Sequence, residues 1–465
     1  MSERWQNQEE AFQFAMVHNE CMLDMEMGTG KTRVAIDVVF ARPTVKKVLV
    51  VCPKAVLGVW PRELKKHASG KMYKVYARNP KTKIADAAQE VRDYLSGSLP
   101  GGKRFVVMNY DAVWRWPMGD VLLRADFDMV ILDESHRAKA AGSKTSKYLA
   151  MLGKRVDYKM CLSGTPMANS PLDVYGQYRF LDPSIFGTNY NRFLQEYAIM
   201  GGPERRFVVG YKNQQDLKAR FQSIAYTCKM ADVADRIKLP DHLPPVQHMV
   251  SLPARDMNTS RKLGKEMLAE CGTNGIVTAS NVLVKMLRLQ QIAAGFCEVQ
   301  DGPLQPSRIQ ELNFTKQDAL ADLLLDISEN DPVVVFCVFK HDLDAVAVAA
   351  QRAGRTSYEL SGRVNELERW QHSEGAILAV QIQAGAEGVD MTRANHAVYF
   401  SLPHSLALYD QSRARLYRPG QTRPVSFIHL IAEGTIDESM YGSLVKKKDV
   451  IESIKNGTFD FGFVK

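Results

Sequence analysis

The sequence predicts an α/β protein with two lobes, each built around a parallel β-sheet. Short, continuously apolar runs alternate with longer stretches of helical periodicity, and this pattern occurs twice along the 465 residues. Strands that are apolar throughout are typical of a parallel sheet with helices on both faces. The proline-rich stretch 239–245 separates the two sets, because closely spaced prolines can continue neither a helix nor a central strand. We therefore place the lobe boundary near residue 240.

The predicted first lobe covers residues 1–240. Its buried strands are expected at 47–53, 104–110, 127–132 and 158–162. From about 171 to 240 the pattern changes to helices with irregularly spaced aromatic residues, which predicts a helical insertion whose aromatic side chains pack together rather than stack on bases. The second lobe covers 241–465, with strands expected at 332–339, 376–380, 396–400 and 425–430. A second helical insertion is expected at about 255–310, and residues 279–294 have its clearest helical period.

The bulk composition is that of a globular protein with sizeable cores. Apolar residues make up 45% of the chain and charged residues 24%. The net charge of +8 suits a polyanionic partner without requiring one. Seven cysteines without any CxxC pair indicate reduced core residues, and no cysteine metal site follows from them. The polar N-terminus and the lack of an apolar run of roughly 20 residues predict a soluble, cytoplasmic protein with no membrane partner.

The segment MEMGTGKT, residues 25–32, is typical of a phosphate-binding loop that opens into a helix. Gly28 and Gly30 allow backbone conformations that a Cβ would block, so their N–H groups and the helix N-terminus can surround an anion. Lys31 would reach the β- and γ-phosphates, and the hydroxyl of Thr32 would hold Mg²⁺. Met25 stands where the usual pattern has glycine. The alternative is a glycine-rich turn before a surface helix.

An acidic pair follows the third strand of the first lobe. Open α/β sheets bind their ligands at the carboxyl ends of the strands, and Asp133 and Glu134 come directly after the run 127–132. Asp133 would hold Mg²⁺ through water, and Glu134 would polarise the attacking water in nucleotide hydrolysis. The alternative is an aspartate that caps the next helix.

Two further segments of the first lobe are candidates for nucleotide contacts. Gln8 lies at the start of a helix ahead of the phosphate loop, and its amide could both donate to and accept from an adenine edge. A solvated glutamine is the alternative. Residues 163–170 form a turn rich in small hydroxyl side chains after the fourth strand. These residues could simply be the types that favour a turn, or the turn could sense nucleotide hydrolysis, and the sequence leaves both alternatives open.

The second lobe has no phosphate loop, but it carries a basic segment at 410–421. On a helix, Arg415 and Arg418 would lie three residues apart on one face. In a lobe that faces a nucleotide cleft, two such guanidiniums would act as arginine fingers for the γ-phosphate, an effect of roughly 10³–10⁵ in rate. A solvated basic face is the alternative.

The order of these segments resembles the Swi/Snf-type branch of superfamily 2 helicases and DNA translocases. The resemblance runs from residue 8 to about 448, and the pattern QxxxRxxRxGQ at 411–421 is its most specific part. The other segments that carry it are Gln8, 26–32, 51–54, 133–136, 162–166, 335–339 and 385–390. It implies two tandem RecA-like lobes with helical insertions, and it is closer to the compact motors of phages and bacteria than to chromatin remodellers. The expected location is therefore the cytoplasm of a bacterial or phage-infected cell.

The resemblance also implies roles for individual positions. ATP would be bound by Gln8, Met27, Gly28, Thr29, Gly30, Lys31, Thr32, Gly388 and Asp390. The catalytic set would be Asp133, Glu134, Arg415 and Arg418, with Mg²⁺ on Thr32 and Asp133. His136, Thr165 and Gln421 would couple the ATP and DNA sites, and Lys54, Asn109, Tyr110 and Gln381 would contact DNA by position. The chain departs from the family at Ser135, where Gly or Ala is usual, and at Glu387 and Asp390, where a Leu–Asn arrangement is usual.

The predicted function is an ATP-dependent translocase on double-stranded DNA. One alternative is a helicase that separates strands or remodels forks, so single-stranded or forked DNA also counts as a candidate partner. A nucleotide-gated DNA clamp is a second alternative, and the intact Glu134, Arg415 and Arg418 argue against it. A motor on RNA or protein is a third. The sequence predicts no specific protein partner and no oligomeric state.

Overall fold

The structure is a computed structural model that describes residues 4–97, 99–167, 170–201, 207–233, 239–240, 243–272, 279–299, 308–385 and 389–446. The chain forms two units, Met1–Ile237 and Lys238–Lys465. The division falls three residues before the expected boundary at 240. Each unit has its own parallel sheet and its own hydrophobic cores.

The first unit contains a seven-stranded sheet in the order β3-β4-β2-β5-β6-β1-β9, and all of its strand pairs are parallel. The strands are β1 Glu20–Met25, β2 Lys47–Cys52, β3 Tyr73–Ala77, β4 Lys103–Asn109, β5 Met129–Asp133, β6 Tyr158–Ser163 and β9 Ala225–Cys228. A separate antiparallel hairpin is formed by β7 Ala198–Gly201 and β8 Phe207–Tyr211. The helices are α1 Gln6–Val17, α2 Lys31–Ala41, α3 Val59–His67, α4 Ile84–Ser96, α5 Met118–Leu123, α6 Lys144–Gly153, α7 Val174–Leu181, α8 Pro183–Phe186, α9 Tyr190–Tyr197 and α10 Gln214–Gln222.

The central strands of this sheet are buried on both faces because their side chains are apolar at consecutive positions. In β2, Leu49 and Val51 belong to one core, whereas Val48 and Val50 belong to the core on the opposite face. This alternation follows from the two-residue period of a strand. The four strands predicted in the first lobe are confirmed as β2, β4, β5 and β6.

The segment 171–240 is only partly the helical insertion that the sequence predicts. Helices α7 to α10 are present, but the hairpin β7–β8 interrupts them, and β9 returns to the main sheet beside β1. Strand β9 has only four residues and is half-buried at the sheet edge, so it lacks a continuous apolar run. The aromatic residues pack together as expected, and the rings of Tyr175 and Phe193 lie 4.9 Å apart.

The second unit contains a six-stranded parallel sheet in the order β10-β17-β16-β13-β15-β14. Its strands are β10 Val246–Val250, β13 Val333–Cys337, β14 Ser357–Leu360, β15 Ile377–Gln381, β16 His396–Tyr399 and β17 Ser426–Ala432, with a hairpin of β11 Phe296–Val299 and β12 Arg308–Glu311. The helices are α11 Ala254–Gly272, α12 Ala279–Ala293, α13 Thr315–Asp326, α14 Lys340–Arg352, α15 Leu367–Gln371, α16 Ile382–Gly385, α17 Leu406–Arg413 and α18 Ile436–Val445. The four predicted strands are confirmed as β13, β15, β16 and β17, whereas the edge strands β10 and β14 were not expected.

The described ranges contain no helix with both the length and the apolar character that a membrane span needs. Among the six cysteines that the structure describes in full, five are buried and none forms a disulfide.

Candidate nucleotide-binding site

Three loops of the first unit meet at the carboxyl edge of its sheet. They follow β1, β6 and β5, which are direct neighbours in the sheet. Gly164, in the loop after β6, lies so close to the loop after β1 that a Cβ would be 3.1 Å from the carbonyl oxygen of Met25 and 3.2 Å from Cα of Glu26. The topology therefore brings the phosphate loop, the acidic pair and the hydroxyl-rich turn together.

The phosphate loop has the backbone conformation that its glycines allow. Gly28 and Gly30 have φ values of 86° and 96°, in the left-handed region, and helix α2 begins at Lys31 directly after them. A Cβ at Gly30 would also lie 2.3 Å from Nε2 of Gln8. The backbone angle therefore requires glycine at position 30, and a larger residue would also displace the amide of Gln8. The result is a loop whose N–H groups precede a helix N-terminus, which is an arrangement that binds phosphate.

Helix α1 is fastened to this loop by two side-chain amides. Nδ2 of Asn7 donates to the carbonyl oxygen of Thr29 at 3.0 Å, and Nε2 of Gln8 donates to the same oxygen at 3.4 Å. Oε1 of Gln8 accepts from the backbone N–H of Trp5 at 3.2 Å. Gln8 thus holds the loop in the structure, and its adenine contact stays a prediction. The role of Asn7 gave no signal in the sequence.

Lys31 and Glu134 join the phosphate loop to the acidic pair. Nζ of Lys31 lies 3.6 Å from Oε1 of Glu134, and both residues are buried. Glu134 has a φ of 51°, which a residue with a Cβ adopts at some cost in strain. This angle turns the chain sharply at the end of β5. Oε2 of Glu134 then lies 3.5 Å from Nδ1 of His136.

Asp133 is fixed from several sides. Its Oδ2 accepts from Nε1 of Trp60 at 2.9 Å, and its Oδ1 accepts from the N–H of Glu134 at 3.1 Å. Burial and the charge of Glu134 raise the pKa of Asp133 to about 6, while Lys31 and the Trp60 bond oppose this rise. The raised pKa indicates that it is energetically unfavourable for Asp133 and Glu134 to be ionised together at this buried position unless a further cation lies nearby.

These residues fit Mg²⁺ and a nucleotide. Mg²⁺ prefers one or two protein oxygens together with waters and phosphate oxygens, and Asp133 with the Thr32 hydroxyl offers that set. Thr32 is in the first turn of α2, directly after Lys31. Within the described ranges no group of three acidic, histidine or cysteine side chains forms a dedicated metal cage, so the phosphates would complete the coordination.

A hydrogen-bonded chain connects β5 with the turn after β6. Oγ of Ser163 lies 3.3 Å from Nδ1 of His136 and accepts from the N–H of Thr165 at 3.1 Å. Burial lowers the pKa of His136, with Glu134 acting in the opposite direction. His136 and Thr165, both predicted to couple the two sites, are therefore linked through Ser163. The coupling itself stays a prediction.

Ser135, where the resemblance leads one to expect Gly or Ala, has a partner of its own. Its Oγ donates to Oε1 of Gln177 at 2.7 Å, and Nε2 of Gln177 donates to the carbonyl oxygen of Pro166 at 2.7 Å. Gln177 is fully buried in α7 and connects the acidic segment to the turn 163–170. The sequence analysis did not single out Gln177, because its partners are separated from it by up to 42 positions.

The predicted DNA contacts differ in accessibility. Lys54 is exposed directly after β2. Asn109 is buried and accepts from Nη1 of Arg78 at 3.3 Å. Tyr110 is buried too, and its hydroxyl donates to the carbonyl oxygen of Asp133 at 2.9 Å. In this position Tyr110 supports the backbone at Asp133. Its hydroxyl is not available for the predicted contact with DNA, because it is buried and already hydrogen-bonded. Gln381, at the end of β15, accepts from the N–H of Gly362 at 3.2 Å.

In the second unit, the expectation that Arg415 and Arg418 share a helix face is wrong. Helix α17 ends at Arg413, and both arginines lie in the turns that follow it. Pro419 disfavours helical conformation at Arg418, and Gly420 has a φ of 103°. Arg415 is buried, whereas Arg418 is partly exposed.

Gln421 ties this turn to the segment 390–394. Its Nε2 donates to the carbonyl oxygens of Thr392 at 3.0 Å and Ala394 at 2.9 Å, and its Oε1 accepts from two backbone N–H groups. Oδ1 of Asp390 accepts from the N–H and the hydroxyl of Thr392. Gln421 and Asp390 therefore have structural roles, and their predicted functional roles stay predictions. Gly388 lies outside the described residues.

Comparison with known families gives two matches. Residues 1–293 match the SNF2-related domain, and residues 315–420 match the helicase conserved C-terminal domain. The first match alone covers more than half of the chain.

Among curated proteins, the chain is 25% identical to the mouse DNA annealing helicase and endonuclease ZRANB3, over 94% of this chain and 39% of that protein. It is 23% identical to the DNA repair and recombination protein RAD54-like of Drosophila persimilis, over 94% of this chain and 60% of that protein. The chain thus spans only part of the length of these relatives.

Among solved structures, the Pyrococcus furiosus Hef helicase domain aligns with a TM-score of 0.51 at 15% identity, covering 94% of this chain and 97% of that one. The Sulfolobus solfataricus SWI2/SNF2 ATPase core in complex with dsDNA aligns with a TM-score of 0.44 at 21% identity, covering 98% and 94%. The predicted fold class, two tandem RecA-like lobes on parallel sheets, is confirmed.

Proposed function

The chain belongs to the family of the SNF2-related domain, and we propose that it is an ATP-dependent motor that translocates on double-stranded DNA. The observation that carries the ATPase part is the buried contact between Lys31 and Glu134. It joins the phosphate loop after β1 to the acidic pair after β5, although β6 lies between these strands. A plain glycine-rich turn or a helix-capping aspartate would have no need of this contact.

In the proposed mechanism the first unit holds the nucleotide. The N–H groups of the loop and the Lys31 ammonium bind the phosphates, and Thr32 and Asp133 hold Mg²⁺. ATP with Mg²⁺ supplies the phosphoanhydride bond whose cleavage drives the cycle. Glu134 orients the attacking water at the end of β5. Arg415 and Arg418 of the second unit keep their proposed role as arginine fingers.

Loss and return of the γ-phosphate would be sensed by the chain His136–Ser163–Thr165. The neutral imidazole of His136 faces both the Glu134 carboxylate and the Ser163 hydroxyl, so a shift of Glu134 changes a hydrogen bond in the turn 163–167. Gln177 reaches the same turn from the other side through Pro166. This arrangement supports a coupling role for the turn between nucleotide state and DNA grip.

The preference for DNA rests on the family. The relatives that the chain resembles are described as acting on DNA, and one similar ATPase core was solved with double-stranded DNA. The exposed Lys54 at the carboxyl edge and the net charge of +8 are compatible with a phosphate backbone.

The test is steady-state ATPase activity without nucleic acid and then with duplex DNA, single-stranded DNA, forked DNA and RNA. We expect strong stimulation of the ATPase by plain duplex DNA. Lys31→Ala should abolish ATP turnover in the presence of any of these nucleic acids, because the negative charge of the ATP phosphates loses its buried counter-charge. Lys65→Ala, an exposed lysine on α3, is the matched control and should retain activity. If duplex DNA stimulates the ATPase, the next experiment is a triplex-displacement assay, which measures movement of the protein along the duplex.

Other outcomes would change the proposal. Stimulation only by single strands or forks would favour a strand-separating helicase. Stimulation by none of the nucleic acids would contradict the proposed substrate. Turnover that survives Lys31→Ala would contradict the nucleotide site.

A further inference from the structure

A surface pocket lies in the first unit between the start of α6 and the helices α7 and α9. Its volume is about 490 Å³, and its lining includes Gly142, Lys147, Arg179, Thr188, Asn189 and Tyr190. We call it the α6 pocket. We propose that the α6 pocket binds a backbone phosphate of duplex DNA, as a contact separate from the nucleotide site. This inference rests on the proposed function, because it assumes that DNA is the substrate.

The charge of the pocket is the first argument. Among the described residues, the charged side chains in its lining are the cations Lys147 and Arg179, without an aspartate or glutamate. Within the part of the chain that the structure describes, neither cation takes part in an ion pair. Two cations that converge on one pocket repel each other unless an anion lies between them.

Arg179 is held in place at the pocket by two hydrogen bonds and an aromatic contact. Its Nη2 donates to the carbonyl oxygen of Ala141 at 2.8 Å and to Oγ of Ser146 at 3.0 Å. Its guanidinium lies 5.6 Å from the ring centre of Tyr175. A planar guanidinium that is held in place beside the pocket is suited to pairing with a phosphate group.

The start of α6 adds a second source of positive potential. The first turn contains Lys144 and Lys147 and no acidic residue, and Ser143 caps it by accepting from the N–H of Ser146. Lysines at the positive end of a helix dipole are electrostatically unfavourable. A bound anion would remove that cost. The neutral hydroxyls of Thr188 and Tyr190 supply further hydrogen-bonding groups in the lining.

The position of the pocket favours a nucleic-acid phosphate over the carboxylate of a protein partner. Helix α6 begins soon after the acidic pair, so its N-terminus is at the same carboxyl edge of the sheet as Lys54. One turn from Lys147, Nζ of Lys144 lies 5.1 Å from the ring centre of Trp114. Arg115 contacts the same ring, and Trp116 beside it is 84% exposed. Lys144 and Arg115 therefore extend the positive surface beside the pocket, which suits a phosphate backbone.

The test uses Lys147→Gln with Lys154→Gln as the matched control. Both lysines are exposed on or next to α6, and Lys154 lies at its far end, seven residues or about 10 Å away. The measurement is equilibrium binding of a fluorescent duplex at several salt concentrations, together with DNA-free ATPase activity. For Lys147→Gln we expect duplex affinity to fall about 5- to 10-fold near 0.1 M salt and the salt slope to drop by about 0.9, as for one lost phosphate contact. Basal ATPase should not change, and Lys154→Gln should match the wild type in all respects.

The outcomes separate this inference from the proposed function. If the wild type does not bind or respond to duplex, the proposed function fails and the inference falls with it. If the wild type binds duplex and both variants bind equally well with the same salt slope, the α6 pocket is not a phosphate site, while the motor proposal stands. A loss of affinity without a change in slope would also overturn it, because no counterion release would have been lost.

Discussion

At the scale of single residues, the orientation of Asp133 depends on a tryptophan. Trp60 is fully buried in α3, and its indole N–H donates to Oδ2 of Asp133. Because the N–H of Glu134 already bonds Oδ1, each oxygen of the carboxylate accepts one hydrogen bond. The remaining lone pairs point in fixed directions. We therefore expect Trp60 to act as a positioning residue for Asp133, the carboxylate proposed to hold Mg²⁺.

Trp60→Phe should raise the Mg²⁺ concentration needed for half-maximal ATPase activity about 10-fold. The physical reason is the loss of one hydrogen bond to a charged group, worth about 1.5–3 kcal/mol, while the aromatic bulk is largely kept. Trp370→Phe is the matched control, since Trp370 is equally buried in the second unit and donates Nε1 to the carbonyl oxygen of Ala376 at 3.0 Å. Both variants should lose some thermal stability. An equal Mg²⁺ requirement for the two would contradict the positioning role.

Arg418→Ala should keep ATP binding and lose hydrolysis by about 10³-fold or more, as expected for an arginine finger. The partly exposed side chain in the turn after α17 contributes little to packing, so the fold should persist. Binding of a fluorescent ATP analogue and single-turnover hydrolysis measure the two effects separately. Arg369→Ala, in an exposed ion pair of the same unit, is the control. Weaker binding with unchanged turnover of the bound nucleotide would show that Arg418 is no finger.

At the scale of elements, α7 lies unusually close to the segment that follows the acidic pair. A Cβ at Gly176 would be 2.2 Å from the carbonyl oxygen of Ala138 and 2.9 Å from that of Lys139. The next residue, Gln177, makes the hydrogen bond to Ser135. The close approach therefore positions the helix that braces the acidic segment.

Gly176→Ala should destabilise the first unit by about 1–3 kcal/mol and lower ATPase activity, because the added methyl group pushes α7 away from residues 135–139. Gly442→Ala is the matched control. Gly442 is inside α18 with nothing within 4 Å of the position of a Cβ, so alanine there should stabilise by about 0.5–1 kcal/mol. Urea midpoints of both variants measure the contrast. A stable and active Gly176→Ala would mean that the contact has no such role.

At the scale of the whole molecule, each unit is stabilised by its own cores, and the second contains a buried histidine. His429 is fully buried in β17, with its ring stacked 4.8 Å from that of Tyr399. Its Nε2 lies 2.9 Å from the hydroxyl of Tyr409, and its Nδ1 lies 3.3 Å from the carbonyl oxygen of Val246. Burial lowers the pKa of His429 to about 3. The imidazole is therefore neutral in the folded unit at any moderate pH.

The stability of the second unit should fall by about 2 kcal/mol between pH 7 and pH 5 through this residue. In the unfolded chain the histidine titrates near 6.5, so acidification stabilises the unfolded state while the folded state stays unprotonated. The stability is present above the unfolded pKa and is lost as the pH falls below it. Hydrogen exchange of the backbone amides in β13 and β16 measures the stability of the second unit at each pH. His429→Gln should have a flatter pH dependence, and His372→Gln at the surface should behave as the wild type.

Most of the candidate nucleotide site has local signals in the sequence. The two glycines of the phosphate loop have the positive φ values that only glycine adopts readily. Asp133 and Glu134 follow an apolar run whose length and composition already predict a buried strand. The strands β3, β9, β10 and β14 were missed, since short or half-buried strands lack that continuous run, and β1 was missed because Glu20 and Asp24 limit its apolar run to three residues. The end of α17 at Arg413 was missed because helical periodicity gives poor boundaries.

The sequence by itself thus determined the two parallel sheets, the conformation of the phosphate loop and the carboxylates at the end of β5. Only the tertiary structure decided that Trp60 and Tyr110 support Asp133, that Gln177 partners Ser135, and that Lys147 and Arg179 line one pocket. The physical reason is the range of the interactions. Backbone conformation and strand character depend on neighbouring residues, whereas hydrogen-bond partners that are tens of positions apart meet only when the sheet order and the helix contacts are set.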